Sequence, residues 1–288
     1  MPGRRATFWT LALPPTLWLV AFLLAPLLLM AALSFRADLR GGILVPWTPT
    51  LIQYERLFGE GTYWGLLQIS VLLAGAVAIV ATALAYPLAY FLAFRAGRRA
   101  GILLILLLVP FWTSFLLRVM AWKFMLGSEG VINSFLGYVG LISEPITQIL
   151  YNRNAVAITL VYVWIPFAAL PILAALQRVE PRLFEAAADL GSTPLSQFRR
   201  VALPLSMPGV LAAFFMVFIP TVGEYVTPLL VGGSSGSLYG NIIQLFFTQG
   251  TNYPFGSALS MVMLVGTVGL VIVGLRLVQP RRFLGLEG

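Results

Sequence analysis

Long apolar runs separated by short polar breaks set the rhythm of this chain. Six runs, near residues 11–34, 66–94, 101–125, 155–177, 208–230 and 256–278, are long enough to cross a hydrocarbon core, which takes about 20 helical residues. Each predicts a spanning helix, because lipid leaves the backbone no other way to satisfy its own polar groups. The first run follows Arg4 and Arg5, as the apolar part of a secretory leader would. It exceeds the ~7–15 residues of such a segment and reads as an uncleaved span. Prolines fall inside most runs (Pro26, Pro87, Pro110, Pro166, Pro171 and Pro220), where each removes a backbone donor and tends to kink its helix. In the second run Ala74, Ala78, Ala81, Ala85 and Ala89 form a seam at three-and-four spacing, which lets helix backbones approach closely. The outer segment 35–65 carries Trp47, Tyr54 and Trp64, which suit an interfacial belt or a partner contact. The uncharged stretch 231–255, with its Gly and Ser run at 232–237, reads as a flexible loop.

Composition agrees with an all-α polytopic membrane protein. Of 288 residues 59% are hydrophobic and 10% charged, with a mean hydropathy of +0.92, where a soluble domain carries roughly 25% charged residues. The net charge of +8 does not mark nucleic-acid binding, because the basic residues flank apolar runs and form no continuous patch. Counting Lys and Arg by side gives twelve against six, with Arg95, Arg98, Arg99, Arg178, Arg182, Arg199 and Arg200 among the twelve and Arg40, Arg56, Lys123 and Arg153 among the six. The positive-inside rule then places both termini, and segment 178–207, in the cytoplasm. Cysteine and histidine are absent, which removes disulfides, thiol nucleophiles, imidazole metal sites and any Ser–His relay. No Gly-x4-Gly-Lys-Ser/Thr occurs, so the chain has no phosphate loop for ATP.

Segment 178–207 is the charged insert in this oily chain. Pro181 suits a first helical turn, and Gly191 suits the left-handed residue that ends a helix. Ser192 or Thr193 then caps a second helix that starts at Pro194 and stops before Pro204. Glu185-Ala186-Ala187, three residues, Gly191, nine residues, then Val201, Leu203 and Pro204 resembles the cytoplasmic coupling loop of permease subunits of binding-protein-dependent ABC importers. That resemblance implies the type I importer permease fold, with Glu185, Ala186, Ala187, Asp189, Gly191, Val201, Leu203 and Pro204 shaping the surface that an ATPase grips.

Glu224 is the most unusual residue, since an ionisable group in an apolar run costs about 2.5–3.5 kcal/mol at the bilayer centre and faces protein or a cavity. Arg118 is its counterpart in the third span. If both helices run straight, a rise of ~1.5 Å per residue puts the two at similar height, about 25 Å from the inner end. They are then expected to pair or to line one outward cavity. Glu224 reads either as a helix-end anchor or ion pair, or as a carboxylate that meets a cationic solute, with Trp112 and Tyr225 adding aromatic faces that attract ammonium groups.

Further strings (Phe111 to Arg118, Gly130 to Ser134, Val222 to Gly233 and Gly240 to Gln244) are similar to the putrescine/spermidine branch of these permeases. Opine, thiamine and ferric-iron branches share parts of them. The resemblance implies a second permease subunit, two ATPase copies that hold ATP and Mg while this chain holds no cofactor, an extracytoplasmic solute-binding protein, and a multi-pass place among the lipids of the bacterial inner membrane. The organisation expected is a first helix and outer loop at 1–65, a permease core at 66–278 and a cytoplasmic tail at 279–288. An ion-driven carrier using Glu224 as a relay is the competing reading, but it needs no docking loop and usually shows repeated halves.

Overall fold

The computed structural model describes residues 4–37, 48–146, 150–249 and 252–278. Arg40, Trp47, Arg281, Arg282 and the tail at 279–288 lie outside the described residues. Among the described residues every regular element is helical. In chain order these are α1 (Phe8–Ser34), α2 (Ile52–Gly59), α3 (Gly61–Phe94), α4 (Gly97–Trp112), α5 (Phe115–Leu126), α6 (Val131–Tyr138), α7 (Arg153–Leu176), α8 (Pro181–Asp189), α9 (Pro194–Val222), α10 (Pro228–Gly232), α11 (Tyr239–Thr248) and α12 (Tyr253–Val278). Helices α1, α3, α7, α9 and α12 are each long and apolar enough to span a membrane, and the sixth candidate is the pair α4 with α5–α6, bent by 87°. Each of the six expected runs thus falls on a candidate span, the third on a broken one.

The chain divides into two compact units, Met1–Gly65 with Ile242–Gly288, and Leu66–Asn241. In the first, the C-terminal half of α1 and all of α2 pack on α12. The Tyr54 hydroxyl lies 2.8 Å from the buried Ser34 hydroxyl, and Arg56 lies over the Phe255 ring at 4.4 Å. Phe8, Trp9, Trp18 and Phe22 stay exposed on the N-terminal half of α1.

The second unit is built on α7 against α9. Gly209 allows their approach: a Cβ placed on it would stand 2.5 Å from both the Ala175 Cβ and the Pro171 carbonyl oxygen. In α3 the alanine seam Ala74, Ala78, Ala81, Ala85 and Ala89 is wholly buried, so it serves packing, where dispersion between close backbones replaces the drive that lipid cannot supply.

Three expectations need correction. The third span is not one straight helix. Pro110 closes α4 as a 3-10 turn, the Thr113 hydroxyl donates to the Pro110 carbonyl at 2.6 Å, and Thr113 and Ser114 are extended before α5 begins. A proline that removes a donor, followed by two extended residues, turns the chain. The second loop helix does not stop before Pro204 either. It runs on through a wide π turn, Phe198–Ala202, into the fifth span, and Leu203 donates to Phe198 five residues back. The widened turn makes room for a residue that has no N–H and whose ring would strike a carbonyl one normal turn back. Finally, the glycines of 232–237 are packed: Gly236 sits against Gly232, Gly233 (φ +59°) sits against Tyr151, and the ten residues of α11 (Tyr239–Thr248) lie within what was read as loop.

Candidate coupling site and pathway residues

Helix α8 ends as its sequence dictates. Gly191 takes φ +78°, its N–H donates to the Ala188 carbonyl at 2.8 Å, and the Ser192 N–H reaches back to the Ala187 carbonyl at 3.0 Å. This is the paired closure in which a left-handed glycine satisfies the last carbonyls of a helix. Thr193 then caps α9, its Oγ1 accepting from the Ser196 N–H at 3.3 Å, with Pro194 next. Of the two expected caps, Thr193 fills the role. The turn presents Glu185, Ala186, Asp189 and Gly191 to the outside, and Leu190 is 87% exposed. Ala187 and Phe184 face inward.

Aromatic rings tie this turn to the second span. Phe184 packs edge-on against Phe94 at 5.1 Å, and Phe198 meets Tyr86 at 5.4 Å and Tyr90 at 6.3 Å. Of the Val201, Leu203 and Pro204 motif, Val201 closes on the π turn and Leu203 and Pro204 open the fifth-span helix proper, all three half-buried.

Glu224 lies just beyond the end of α9. Its Oε1 accepts from the Val226 N–H at 2.8 Å and the Thr227 N–H at 3.0 Å, so it caps the short segment that becomes α10. A carboxylate suits the donor-rich start of a helix. The expected pair with Arg118 does not form: among the described residues the one ion pair is Arg56 with Glu60. Arg118 follows the 87° break, where its guanidinium lies over the Phe111 ring at 4.6 Å and the Phe115 ring at 5.9 Å. The equal-height estimate assumed a straight third span and falls with it. The two residues are linked indirectly, because α10, which Glu224 caps, packs on α5, which carries Arg118. Tyr225 adjoins Glu224 and is partly exposed, while Trp112 at the bend is 81% exposed and joins neither. The Glu224–Tyr225 corner is held by the string Gly240-Asn241: the Asn241 amide donates to the Tyr225 carbonyl at 2.8 Å, and a Cβ on Gly240 would meet the Gly223 carbonyl oxygen at 2.7 Å.

Comparison with known proteins identifies this architecture. Residues 85–284 match the family described as binding-protein-dependent transport system inner membrane component. The chain belongs to that family of ABC importer permeases. It falls in the polyamine branch, being 36% identical over 256 residues to the spermidine/putrescine transport system permease protein PotB of Haemophilus influenzae, with 89% of this chain and 88% of that one covered. The PotB of Escherichia coli is likewise 36% identical, over 89% of this chain and 92% of its own. The fold matches a permease in the crystal structure of a bacterial ABC transporter that imports the acidic polysaccharide alginate, with a TM-score of 0.76, 17% identity and 94% of both chains covered.

In this permease, several positions that hold the site together carried no signal in the sequence reading. Asn133, within a string noted only for its resemblance, is buried and ties a hairpin: its amide donates to the Gly127 and Ile146 carbonyls at 3.0 and 3.3 Å, and its Oδ1 accepts from the Ile146 N–H at 2.9 Å. Tyr86, Phe198 and Ser206 were missed altogether. A hydroxyl within an apolar run was the available hint, since lipid-embedded polar groups need partners.

Proposed function

We propose that this permease forms half of the inner-membrane pathway for a small cationic solute, a polyamine such as putrescine or spermidine, and is driven through residues 178–207 by a separate ATPase. The observation that carries the mechanical part is the turn at Gly191, which displays Glu185, Ala186 and Asp189 outward at the foot of a helix continuous with the fifth span. A partner gripping that foot moves the span itself. The names of the relatives at 36% identity support the cargo. The assembly comprises a second permease subunit, two ATPase copies that bind ATP and Mg, and a solute-binding protein outside, with both termini of this chain cytoplasmic.

Glu224 is proposed as the pathway carboxylate, with Tyr225 beside it and Trp112 and Arg118 on the neighbouring broken span. Its Oε1 is engaged by two backbone donors, and no hydrogen bond or ion pair among the described residues engages Oε2. Capping therefore fixes the group in place and leaves one oxygen for an ammonium. The test is uptake by the purified complex in proteoliposomes, offered labelled putrescine, spermidine, thiamine and ferric iron in turn. Uptake of a diamine or triamine that depends on ATP and on the binding protein is expected. A response to iron or thiamine alone overturns the cargo, and uptake without any ATPase overturns the coupling.

A further inference from the structure

The second and fifth spans are joined by one hydrogen bond at the place where the coupling loop becomes membrane helix. The Tyr86 hydroxyl lies 2.8 Å from Ser206 Oγ. Ser206 gives its own proton to the Ala202 carbonyl at 2.7 Å, so Tyr86 is the donor between the two. Ala202 ends the π turn and Phe198 begins it, and Phe198 stands edge-on to the same Tyr86 ring. Both ends of the turn therefore hold one tyrosine of the second span. Ala202 and Ser206 are fully buried and Tyr86 nearly so.

The helices are not held together there by continuous apolar packing. An open groove of about 680 Å³ runs between them, walled by Ile79, Thr82 and Ala83 on α3 and by Val210, Leu211 and Phe214 on α9. The Thr82 Oγ1 is buried on that wall without a hydrogen-bond partner. With space beside it, the contact at Tyr86 and Phe198 fixes the local spacing of the two spans. Closer to the loop, Phe94 of the same helix takes Phe184 of α8.

We propose that Tyr86 is a positioning residue for energy coupling: through Ser206 it makes the second span follow the π turn when the loop at 178–207 is driven. The inference rests on the permease reading above and adds the latch by which a push on the fifth span reaches its neighbour. A phenylalanine at position 86 removes one hydroxyl and leaves Ser206 satisfied by Ala202, so the fold tolerates the change.

The experiment uses the whole reconstituted transporter with its companion permease, ATPase and binding protein, and labelled putrescine as probe. Solute moved per ATP hydrolysed is measured for wild type, Y86F, S206A and the double variant, alongside unfolding midpoints. Loss of one hydrogen bond predicts a fall of roughly two- to tenfold in transport per ATP. ATPase rate should be retained, and the double variant should be no worse than either single. A bond that merely stabilised the fold would lower uptake and ATPase in proportion and leave the ratio unchanged. That result, or additive losses in the double variant, overturns the latch. Wild type that couples while Y86F keeps its ratio removes the latch alone. Wild type whose ATPase ignores the loaded binding protein removes the permease reading, and the latch with it.

Discussion

Gly191 offers a clean perturbation, because its cost can be separated from crowding. A Cβ built on it meets nothing within 4 Å, while its φ of +78° is a conformation that side chains disfavour. Substitution therefore acts through the backbone alone. For an ordinary residue the left-handed conformation costs about 1–2 kcal/mol, less for asparagine and more for a β-branched residue. The chain avoids that cost by unwinding the last turn of α8, which breaks the bonds from Gly191 and Ser192 to the Ala188 and Ala187 carbonyls and displaces the exposed Glu185 and Asp189. A penalty of that size reduces the population of intact Gly191 turns by a factor of about 5–30. The expected order of solute moved per ATP is wild type, then G191N close behind, then G191A, with G191V lowest. Membrane insertion and the unfolding midpoint of the helical core should be nearly constant, since no buried contact changes. The assay is uptake and ATPase in proteoliposomes, with amide exchange at Gly191 and Ser192 reporting the turn itself. If G191V coupled like wild type, or G191N failed as badly as G191V, left-handed geometry would not be what the site requires.

Other outcomes follow from the same contacts. G209A should lower the unfolding free energy by about 1–3 kcal/mol, because its Cβ would fall 2.5 Å from Ala175 and from the Pro171 carbonyl oxygen; adding A175G should recover part of the loss, and a midpoint unchanged in G209A would contradict the close approach. E224A should cost about 1 kcal/mol as a lost cap, and E224Q less, because its amide oxygen still accepts. E224Q also isolates the charge: a KM for putrescine raised about tenfold or more in a stable variant is expected of a pathway carboxylate, and an unchanged KM refutes that role. N133A leaves the N–H and carbonyl of Ile146 without their partner, while the Gly127 carbonyl keeps its bond from the Gly130 N–H; it should speed amide exchange at Ile146, with exchange at wild-type rates counting against the tie.

The spans were legible because a bilayer demands about 20 apolar residues per crossing and tolerates little else. The loop was legible because proline, left-handed glycine and a capping threonine each act within a turn of themselves. The break of the third span was harder to read. Pro110 signalled a kink, but the 87° bend depends on Thr113 and Ser114 both being extended, which neither residue type dictates. The Glu224–Arg118 pair failed for the same reason, since a depth counted along a straight helix has no meaning past a corner. Charge alone suggested attraction, yet nearby backbone donors took the carboxylate and aromatic faces took the guanidinium. The flexible reading of 232–237 mistook glycines chosen for closeness for glycines chosen for freedom. Tyr86 and Ser206, 120 positions apart, are matched by tertiary structure that no local pattern encodes.

The uninterrupted helix Pro194–Val222 has a consequence for exchanging parts between such transporters. At 29 residues and ~1.5 Å each it is about 43 Å long, more than the ~30 Å of a hydrocarbon core, so the proposed docking foot and the fifth span are one rod with a shared angular phase. Inserting a single residue between Gln197 and Leu203 would swing the foot by about 100° relative to the span. Chimeras that graft a foreign docking foot onto this chain must therefore conserve the residue count across that junction, whatever sequence they place there.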